Sequence, residues 1–330
     1  MKIGSEEIEA QFNAAFDAFL QGGQTPGPIL LEGDWGSGKT HIKTLLRHEM
    51  RRRQIPHVAT ALGRYQGSLA HLHLTVPQWL TTVDFGGARG LRAALDAGIL
   101  SPGGTHAWAN TKVTPFAEGL RWALGGWDEA GWLRALGHCY AMPNQGYQHW
   151  KALDLVLSAG EYVATVGGRG IALLLDEAEN VCLQHDIRGR RRSYDALRRL
   201  YLSQHFLLTL FVTARFLDQV QQDWRQGLAS GWVYWTEEAR EFVSNLRHMT
   251  RLKTPALRLS DAKELVRRIH AVYQEAYGPI SFATSEADIL RAWTRTPTHS
   301  VRLLIRLTVS DLDVAAGVTS TRTLNEESVA

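Results

Sequence analysis

The sequence has few cysteines and little net charge. Only two cysteines occur among the 330 residues, Cys139 and Cys182, and their spacing fits neither a metal site nor a redox motif. This usage is typical of a reducing compartment and argues against a disulfide-stapled secreted fold. The formal net charge is only +3, so no overall basic field demands a nucleic-acid partner.

Long hydrophobic runs are also lacking. No apolar run approaches the roughly 20 residues that a membrane-spanning helix needs. Residues 1–7, Met-Lys-Ile-Gly-Ser-Glu-Glu, lack the apolar core of a signal peptide. We therefore expect a cytoplasmic protein without a membrane partner. With 45% hydrophobic and 21% charged residues, the composition is that of a soluble globular chain that can bury one large core or two smaller ones.

The most specific pattern lies at residues 28–40. A short apolar run, Ile-Leu-Leu, is followed by a match to G-x-x-x-x-G-K-[ST]. The glycines let successive N–H groups face an anion, and a helix that starts near Ser37 adds the positive end of its dipole. Lys39 can reach the β- and γ-phosphates of ATP, and the Thr40 hydroxyl can ligate Mg²⁺. The pattern predicts a phosphate-binding loop formed by Gly33, Asp34, Trp35, Gly36, Ser37, Gly38, Lys39, Thr40 and His41.

A second apolar run, at residues 171–175, ends in two carboxylates. In open parallel sheets, ligands lie at the carboxyl edge of the strands. An aspartate there can hold Mg²⁺ beside a phosphate loop, so we assign Asp176 to the metal together with Thr40. Glu177 can polarise a water aimed at the γ-phosphate. Glu179 could share that acidic work or be structural.

Thr213 follows another apolar run, at residues 206–212. Its hydroxyl could hydrogen-bond the attacking water or the γ-phosphate. A threonine that is simply hydrogen-bonded at the end of a strand would give the same pattern. Both interpretations stay open at this stage.

Four apolar runs, at residues 29–31, 57–62, 171–175 and 206–212, predict an α/β fold with the parallel sheet of a P-loop NTPase. We expect a nucleotide-binding domain over residues 1–257, a helical lid over 258–316 and a disordered tail over 317–330. A mostly helical, tryptophan-rich insertion is expected at about residues 85–165. The tryptophans predict core packing, with a docking surface or a base-stacking platform as the alternative: Trp79, Trp108, Trp122, Trp127, Trp132 and Trp150.

Arginine is concentrated between the apolar runs at residues 171–175 and 206–212, at Arg188, Arg190, Arg191, Arg192, Arg198 and Arg199. An apolar stripe leaves most of these arginines on other faces of a predicted helix: Tyr194, Leu197, Leu200 and Tyr201. They could form a solvated basic face, contact nucleic-acid phosphates or reach the nucleotide of a neighbouring subunit. The run at residues 51–53 predicts a solvated helix end.

Four segments carry a family resemblance: residues 33–40, 173–180, 192–200 and 211–216. They resemble AAA+ ATPases of the initiator-like branch and, more closely, the ATP-binding proteins of bacterial BREX-type phage-defence islands. Thr296-Pro297 is similar to the segment that opens the last lid helix of that family. Where the family tends to have arginine next, this chain has Thr298, so Arg302 and then Arg295 are the candidate lid arginines.

The resemblance implies an AAA+ module that binds ATP and Mg²⁺ and completes its active site at a subunit interface. Arg191, Arg192 and Arg215 are the candidates for an arginine acting on the neighbour, and the cluster at residues 190–192 is preferred. It further implies an anti-phage defence complex, formed as a homo-oligomer or with other defence proteins, in which ATP turnover drives assembly or remodelling on double-stranded DNA. Alternatives are a weakly hydrolysing switch or scaffold, and a helicase- or transposition-type loader. With little chain after the lid, we expect no appended winged helix.

Overall fold

The computed structural model describes residues 6–22, 28–63, 68–124, 145–181, 184, 187–233, 235–249, 251–254, 256–296 and 300–318. The chain divides into two compact units. The first comprises Met1–Glu32 and Thr40–Lys253, and the second comprises Gly33–Lys39 and Thr254–Ala330. The domain boundaries expected at residues 257 and 316 stay predictions. Cys139, Cys182, Pro297, Thr298 and residues 319–330 lie outside the described residues.

The first unit contains a five-stranded sheet in the order β2-β3-β4-β1-β5, and every pair of neighbours is parallel. The strands are β1 (Ile29–Glu32), β2 (His57–Ala61), β3 (Ile171–Asp176), β4 (Phe206–Val212) and β5 (Arg251–Lys253). The predicted α/β sheet of a P-loop NTPase is confirmed. The sequence did not predict β5, because only its central residue, Leu252, is buried and the strand makes no apolar run.

Helices connect the strands. Along the chain they are α1 (Glu6–Leu20), α2 (Lys39–Arg52), α3 (Leu72–Thr82), α4 (Leu91–Asp96), α5 (Pro102–Thr111), α6 (Pro115–Leu124), α7 (Gln145–Gly167), α8 (Ile187–Leu202), α9 (Ala214–Ser230) and α10 (Glu237–His248), with short 3₁₀ turns at Leu69–His71 and Ala178–Val181. Within the described part of the chain, no helix combines the length and the apolar character that crossing a membrane requires.

Two hydrophobic cores cover the two faces of the sheet. Because strand side chains alternate between faces, Leu30 joins one core and its neighbour Leu31 joins the other. Leu31 packs with Phe12 of α1 and Leu46 of α2, whereas Leu30 belongs to the larger core built mainly by the helices that follow β2. The central strands β3 and β4 are buried along their whole length, which explains their largely apolar sequences.

The segment between β2 and β3 is mostly helical where it is described, and its status as an insertion at about residues 85–165 stays a prediction. Trp79 and Trp108 are buried in the larger core, and Trp150 packs against it. These contacts favour core packing over a base-stacking platform for these three residues. The side chain of Trp122 and residues Trp127 and Trp132 lie outside the described part.

The second unit contains α11 (Leu259–Tyr277), α12 (Glu286–Thr294) and α13 (Val301–Ala315) around a small core that includes Val266, Trp293 and Leu304. Ser285 caps the start of α12 as predicted, because its Oγ accepts from the Asp288 N–H at 3.1 Å. The Asp288 carboxylate accepts from the Ser285 hydroxyl at 2.7 Å. Ser300 caps α13 by accepting from the Leu303 N–H at 3.4 Å.

Asp195 in α8 is a buried acid with incomplete hydrogen bonding. It is 4% exposed, and its Oδ1 accepts from the Thr236 hydroxyl at 3.0 Å. Its Oδ2 has no hydrogen-bond partner among the described residues. Burial raises the pKa of Asp195 above its usual value of 3.8, even though Thr236 and nearby arginines act in the opposite direction. The native state therefore holds the proton more tightly than the unfolded chain does.

We predict that Asp195→Asn gains stability relative to the wild type as the pH rises. Above pH 3.8, the unfolded chain releases this proton before the native state does, so the wild type loses stability until the raised native pKa is passed. Urea unfolding at several pH values between about 4 and 7 measures the difference. Asp154→Asn, at an exposed ion pair with Arg199, is the control. A stability difference that does not grow with pH would contradict the prediction.

Candidate functional site

The loop between β1 and α2 has the backbone that its glycines predict. Gly36 and Gly38 have φ values of 79° and 95°, a region that side chains rarely adopt. The Ser37 N–H donates to the Asp34 carbonyl at 3.1 Å and closes the turn. Helix α2 begins at Lys39, two residues later than the start expected near Ser37.

Lys39 folds back along this loop. Its ammonium donates to the Asp34 carbonyl oxygen at 3.1 Å and also to the Gly33 carbonyl. The Ser37 hydroxyl is buried without a hydrogen-bond partner among the described residues, whereas Trp35 is 63% exposed. The loop thus carries an ammonium that donates to two of its own carbonyl oxygens.

The start of α13 packs against the loop, and both belong to the second unit. A Cβ at Gly36 would collide with Ser300 Oγ and would lie 3.1 Å from Arg302 Cβ. Glycine is therefore required at Gly36 by its φ and by the closeness of the helix. Of the two candidate lid arginines, Arg302 lies beside the loop, while Arg295 is exposed at the end of α12.

Asp176, at the end of β3, forms an ion pair with Lys43. Lys43 Nζ donates to Asp176 Oδ2 at 2.6 Å, and the Glu177 N–H donates to Asp176 Oδ1 at 2.9 Å. The side chains of Lys43 and Asp176 are only 15% and 9% exposed. Lys43 lies three residues after Thr40 on α2, so the two share a helix face. Lys43 was not predicted as a site residue, because a lone lysine in a helix carries no signal of its partner.

Glu177 has a left-handed backbone, with φ of 54°. The Asn180 side-chain amide donates to Glu177 Oε2 at 3.2 Å and to the Leu62 carbonyl at 2.5 Å. The Leu62 N–H in turn donates to the Asp176 carbonyl at 2.8 Å. Asn180 therefore ties the Glu177 carboxylate to the chain that leaves β2. Asn180 lies within residues 173–180, one of the segments that carry the family resemblance, but its role was not predicted.

Thr213 is buried directly after β4, the strand between β3 and β1. Its hydroxyl has no hydrogen-bond partner among the described residues. The alternative of a hydrogen-bonded threonine at a strand end is therefore not met in the described part of the structure. Glu179 is buried in the 3₁₀ turn Ala178–Val181, which favours a structural role for it.

Three arginines of α8, Arg190, Arg198 and Arg199, form ion pairs with acidic residues. Arg190 Nε lies 3.2 Å from both carboxylate oxygens of Asp223, which is fully buried and also accepts from the Tyr194 hydroxyl at 2.9 Å. Arg198 and Arg199 form ion pairs with Glu241 and Asp154. Arg190 is therefore a structural residue, whereas Arg191 and Arg192 remain half-buried candidates. The apolar stripe is confirmed, since Tyr194, Leu197 and Leu200 are buried.

The arginines at the end of α2 form ion pairs at the surface of the protein. Arg51 pairs with Asp84, Arg52 with Glu49, and Arg53 with both Glu49 and Asp17. These ion pairs fix the end of the helix to neighbouring elements. Arg51 and Arg52 are 52% and 66% exposed, as expected for the predicted solvated helix end, whereas Arg53 is only 18% exposed. None of the contacts described for the run points to a nucleic-acid patch.

The loop and the parallel sheet define a P-loop NTPase domain. The sequence model of the KAP family P-loop domain matches residues 12–277. The chain therefore belongs to the KAP family of P-loop NTPases, and the matched range contains the loop, both carboxylates and Thr213. No curated protein and no solved structure matches the chain.

We predict that Glu177→Gly stabilises the protein. Relief of the left-handed backbone, less the extra chain entropy of glycine, should give about 0.5–1 kcal/mol. Gln54→Gly is a matched control, since Gln54 has φ of 55° at a turn after α2. Chemical denaturation measures both variants. If Gln54→Gly stabilises and Glu177→Gly destabilises, the hydrogen bond from Asn180 to the Glu177 side chain outweighs the backbone strain, and the prediction is contradicted.

Proposed function

We propose that the chain binds ATP with Mg²⁺ and hydrolyses it. One observation carries the proposal: β3, which ends at Asp176 just before Glu177, lies in the same parallel sheet as β1, which leads into the glycine loop. A single strand, β4, separates the two, and it ends at a buried hydroxyl with no partner in the described part of the chain. Unsatisfied polar groups at the carboxyl edge of a sheet favour a polar ligand there.

Phosphate binding rests on the loop. Backbone N–H groups of residues 33–41 and the start of α2 face the phosphates, and the Lys39 ammonium exchanges its carbonyl contacts for phosphate oxygens. Thr40 and Asp176 hold the metal. No group of three or more histidine, cysteine or acidic side chains in the described residues is arranged to hold a metal by itself. Such a sparse ligand set suits Mg²⁺, which takes one or two carboxylates and completes its shell with waters and substrate phosphates.

Hydrolysis rests on Glu177. Its carboxylate accepts a proton from water as the water oxygen attacks the γ-phosphorus and ADP leaves. Asn180 orients the carboxylate through the 3.2 Å hydrogen bond, and the Thr213 hydroxyl donates to the water or to the γ-phosphate. Mg²⁺ held by Thr40 and Asp176 would supply charge neutralisation at the phosphates.

The AAA+ resemblance adds a finer proposal. It assigns residues 1–257 to a nucleotide-binding domain and 258–316 to a lid, with Arg302 directed at the γ-phosphate. The position of Arg302 beside the loop supports this assignment. An arginine from the neighbouring subunit would complete the site, and such fingers contribute about 10³–10⁵ in rate. Arg191 and Arg192 are the candidates, because Arg190 is committed to Asp223.

At the level of the cell, we propose a cytoplasmic module of an anti-phage defence complex of the BREX type. It would act as a homo-oligomer or with other defence proteins, and ATP turnover would remodel the assembly on double-stranded DNA. The alternative is a nucleotide-dependent scaffold that hardly hydrolyses ATP. The BREX-type ATP-binding proteins tend to have arginine after Thr-Pro, and Thr298 at this position favours that alternative. A helicase- or transposition-type loader would use the same site.

Lys39→Ala should lose ATP affinity by at least about tenfold, because a charge-assisted contact to phosphate is worth about 1.5–3 kcal/mol. Titration calorimetry with MgATP measures the loss, and circular dichroism checks that the fold survives. Lys263→Ala, at an exposed site in α11, is the matched control and should bind as the wild type does. Equal affinities of wild type and Lys39→Ala would remove the basis for the nucleotide site.

Glu177→Gln should bind ATP normally and lower turnover by about 10²–10⁴, the usual contribution of a general base. Phosphate release, measured with and without double-stranded DNA, tests turnover and the proposed DNA partner together. Hydrolysis by Glu177→Gln at the wild-type rate would transfer the role of base to another residue, and Glu179 would be tested first. A wild type that binds ATP without measurable turnover would support the scaffold alternative.

A further inference from the structure

The Lys43–Asp176 pair joins a cation to a residue that the proposed function assigns to Mg²⁺. The 2.6 Å contact uses Oδ2, and the Glu177 N–H at 2.9 Å uses Oδ1, so both carboxylate oxygens are engaged. Asp176 is Lys43's only carboxylate partner in the described part of the chain. The pair is therefore specific, and its low exposure protects it from screening by solvent.

The position of Lys43 on α2 makes the pair relevant to the metal. Thr40 and Lys43 are three residues apart on one helix face, so the ammonium and the hydroxyl proposed to ligate Mg²⁺ project from neighbouring positions. Mg²⁺ binds carboxylate oxygen directly or through its waters. An ammonium at 2.6 Å from Oδ2 occupies one of the two oxygens that Mg²⁺ or its water would use.

We propose that Lys43 is an internal counter-ion of Asp176 that Mg²⁺ displaces when ATP binds. This inference rests on the proposed function. In the absence of metal, the ammonium neutralises a carboxylate that would otherwise be buried and unpaired, a costly state. In the presence of Mg²⁺, the flexible four-carbon stem lets the ammonium leave Oδ2. Lys43 thereby raises the Mg²⁺ concentration that tight ATP binding requires.

The test is the Mg²⁺ dependence of nucleotide binding by the wild type and Lys43→Met. Binding of a fluorescent ATP analogue is measured in EDTA and then at increasing free Mg²⁺. In Lys43→Met, half-maximal enhancement should occur at about tenfold lower Mg²⁺, which corresponds to the loss of one competing charge-assisted hydrogen bond. Binding of Mn²⁺ to the nucleotide complex, followed by electron paramagnetic resonance, should shift in the same direction.

Three variants make the result specific. Lys43→Arg keeps a cation at this position and should resemble the wild type. Arg47→Met removes a half-buried charge one turn further along α2 and should leave the Mg²⁺ dependence unchanged. In an Asp176→Asn background, Lys43→Met should have no further effect, because the partner of the ammonium is gone.

The outcomes separate the two proposals. If the wild type binds no nucleotide in EDTA or in Mg²⁺, the proposed function fails. If the wild type binds nucleotide and Lys43→Met shows the same or a greater requirement for Mg²⁺, the counter-ion role alone is overturned. Should Lys43→Met prove unstable, Lys43→Gln is measured in its place against the same criteria.

Discussion

The carboxyl ends of parallel strands meet at a single edge of the sheet, and the candidate chemistry depends on this constraint. Side chains that follow β1, β3 and β4 are brought to that edge, although more than a hundred residues separate β1 from β3 in the chain. The register aligns Glu32 of β1 with Val212 of β4, so Thr213 follows at the level where the glycine loop begins. Because β3 and β4 are buried on both faces, their residues are apolar except for Thr209 within β4 and Asp176 at the end of β3.

Burial of Asp176 imposes a second requirement on this edge. A carboxylate removed from water needs a cation or several hydrogen-bond donors. The protein meets that need with Lys43 and the Glu177 N–H. Glu177 in turn depends on Asn180, which also holds the Leu62 carbonyl. The acidic end of β3 is therefore one connected hydrogen-bonded network that extends to α2 and to the end of β2.

The sequence predicted the elements whose signal is local. The glycine loop, β3 and β4 each carry a continuous pattern, and the cap of α12 needs only Ser285 and Asp288. It failed where the deciding contact is distant in the chain. Strand β5 has one buried residue, and Lys43 meets Asp176 133 residues away. In α8, three successive arginines look alike in sequence, and the ion pair of Arg190 with the distant, buried Asp223 could not be predicted from that sequence.

The contact between Gly36 and the start of α13 affects how the protein can be divided. The glycine loop and the C-terminal helices belong to one compact unit, although the sheet and α2 lie on either side of the loop in the chain. A fragment that stops after β5 would retain every strand and every residue of the glycine motif. It would still lack the surface formed by Ser300 and Arg302, against which the loop packs. A fragment that keeps the loop in its packed surroundings must therefore extend beyond β5 to include Ser300 and Arg302.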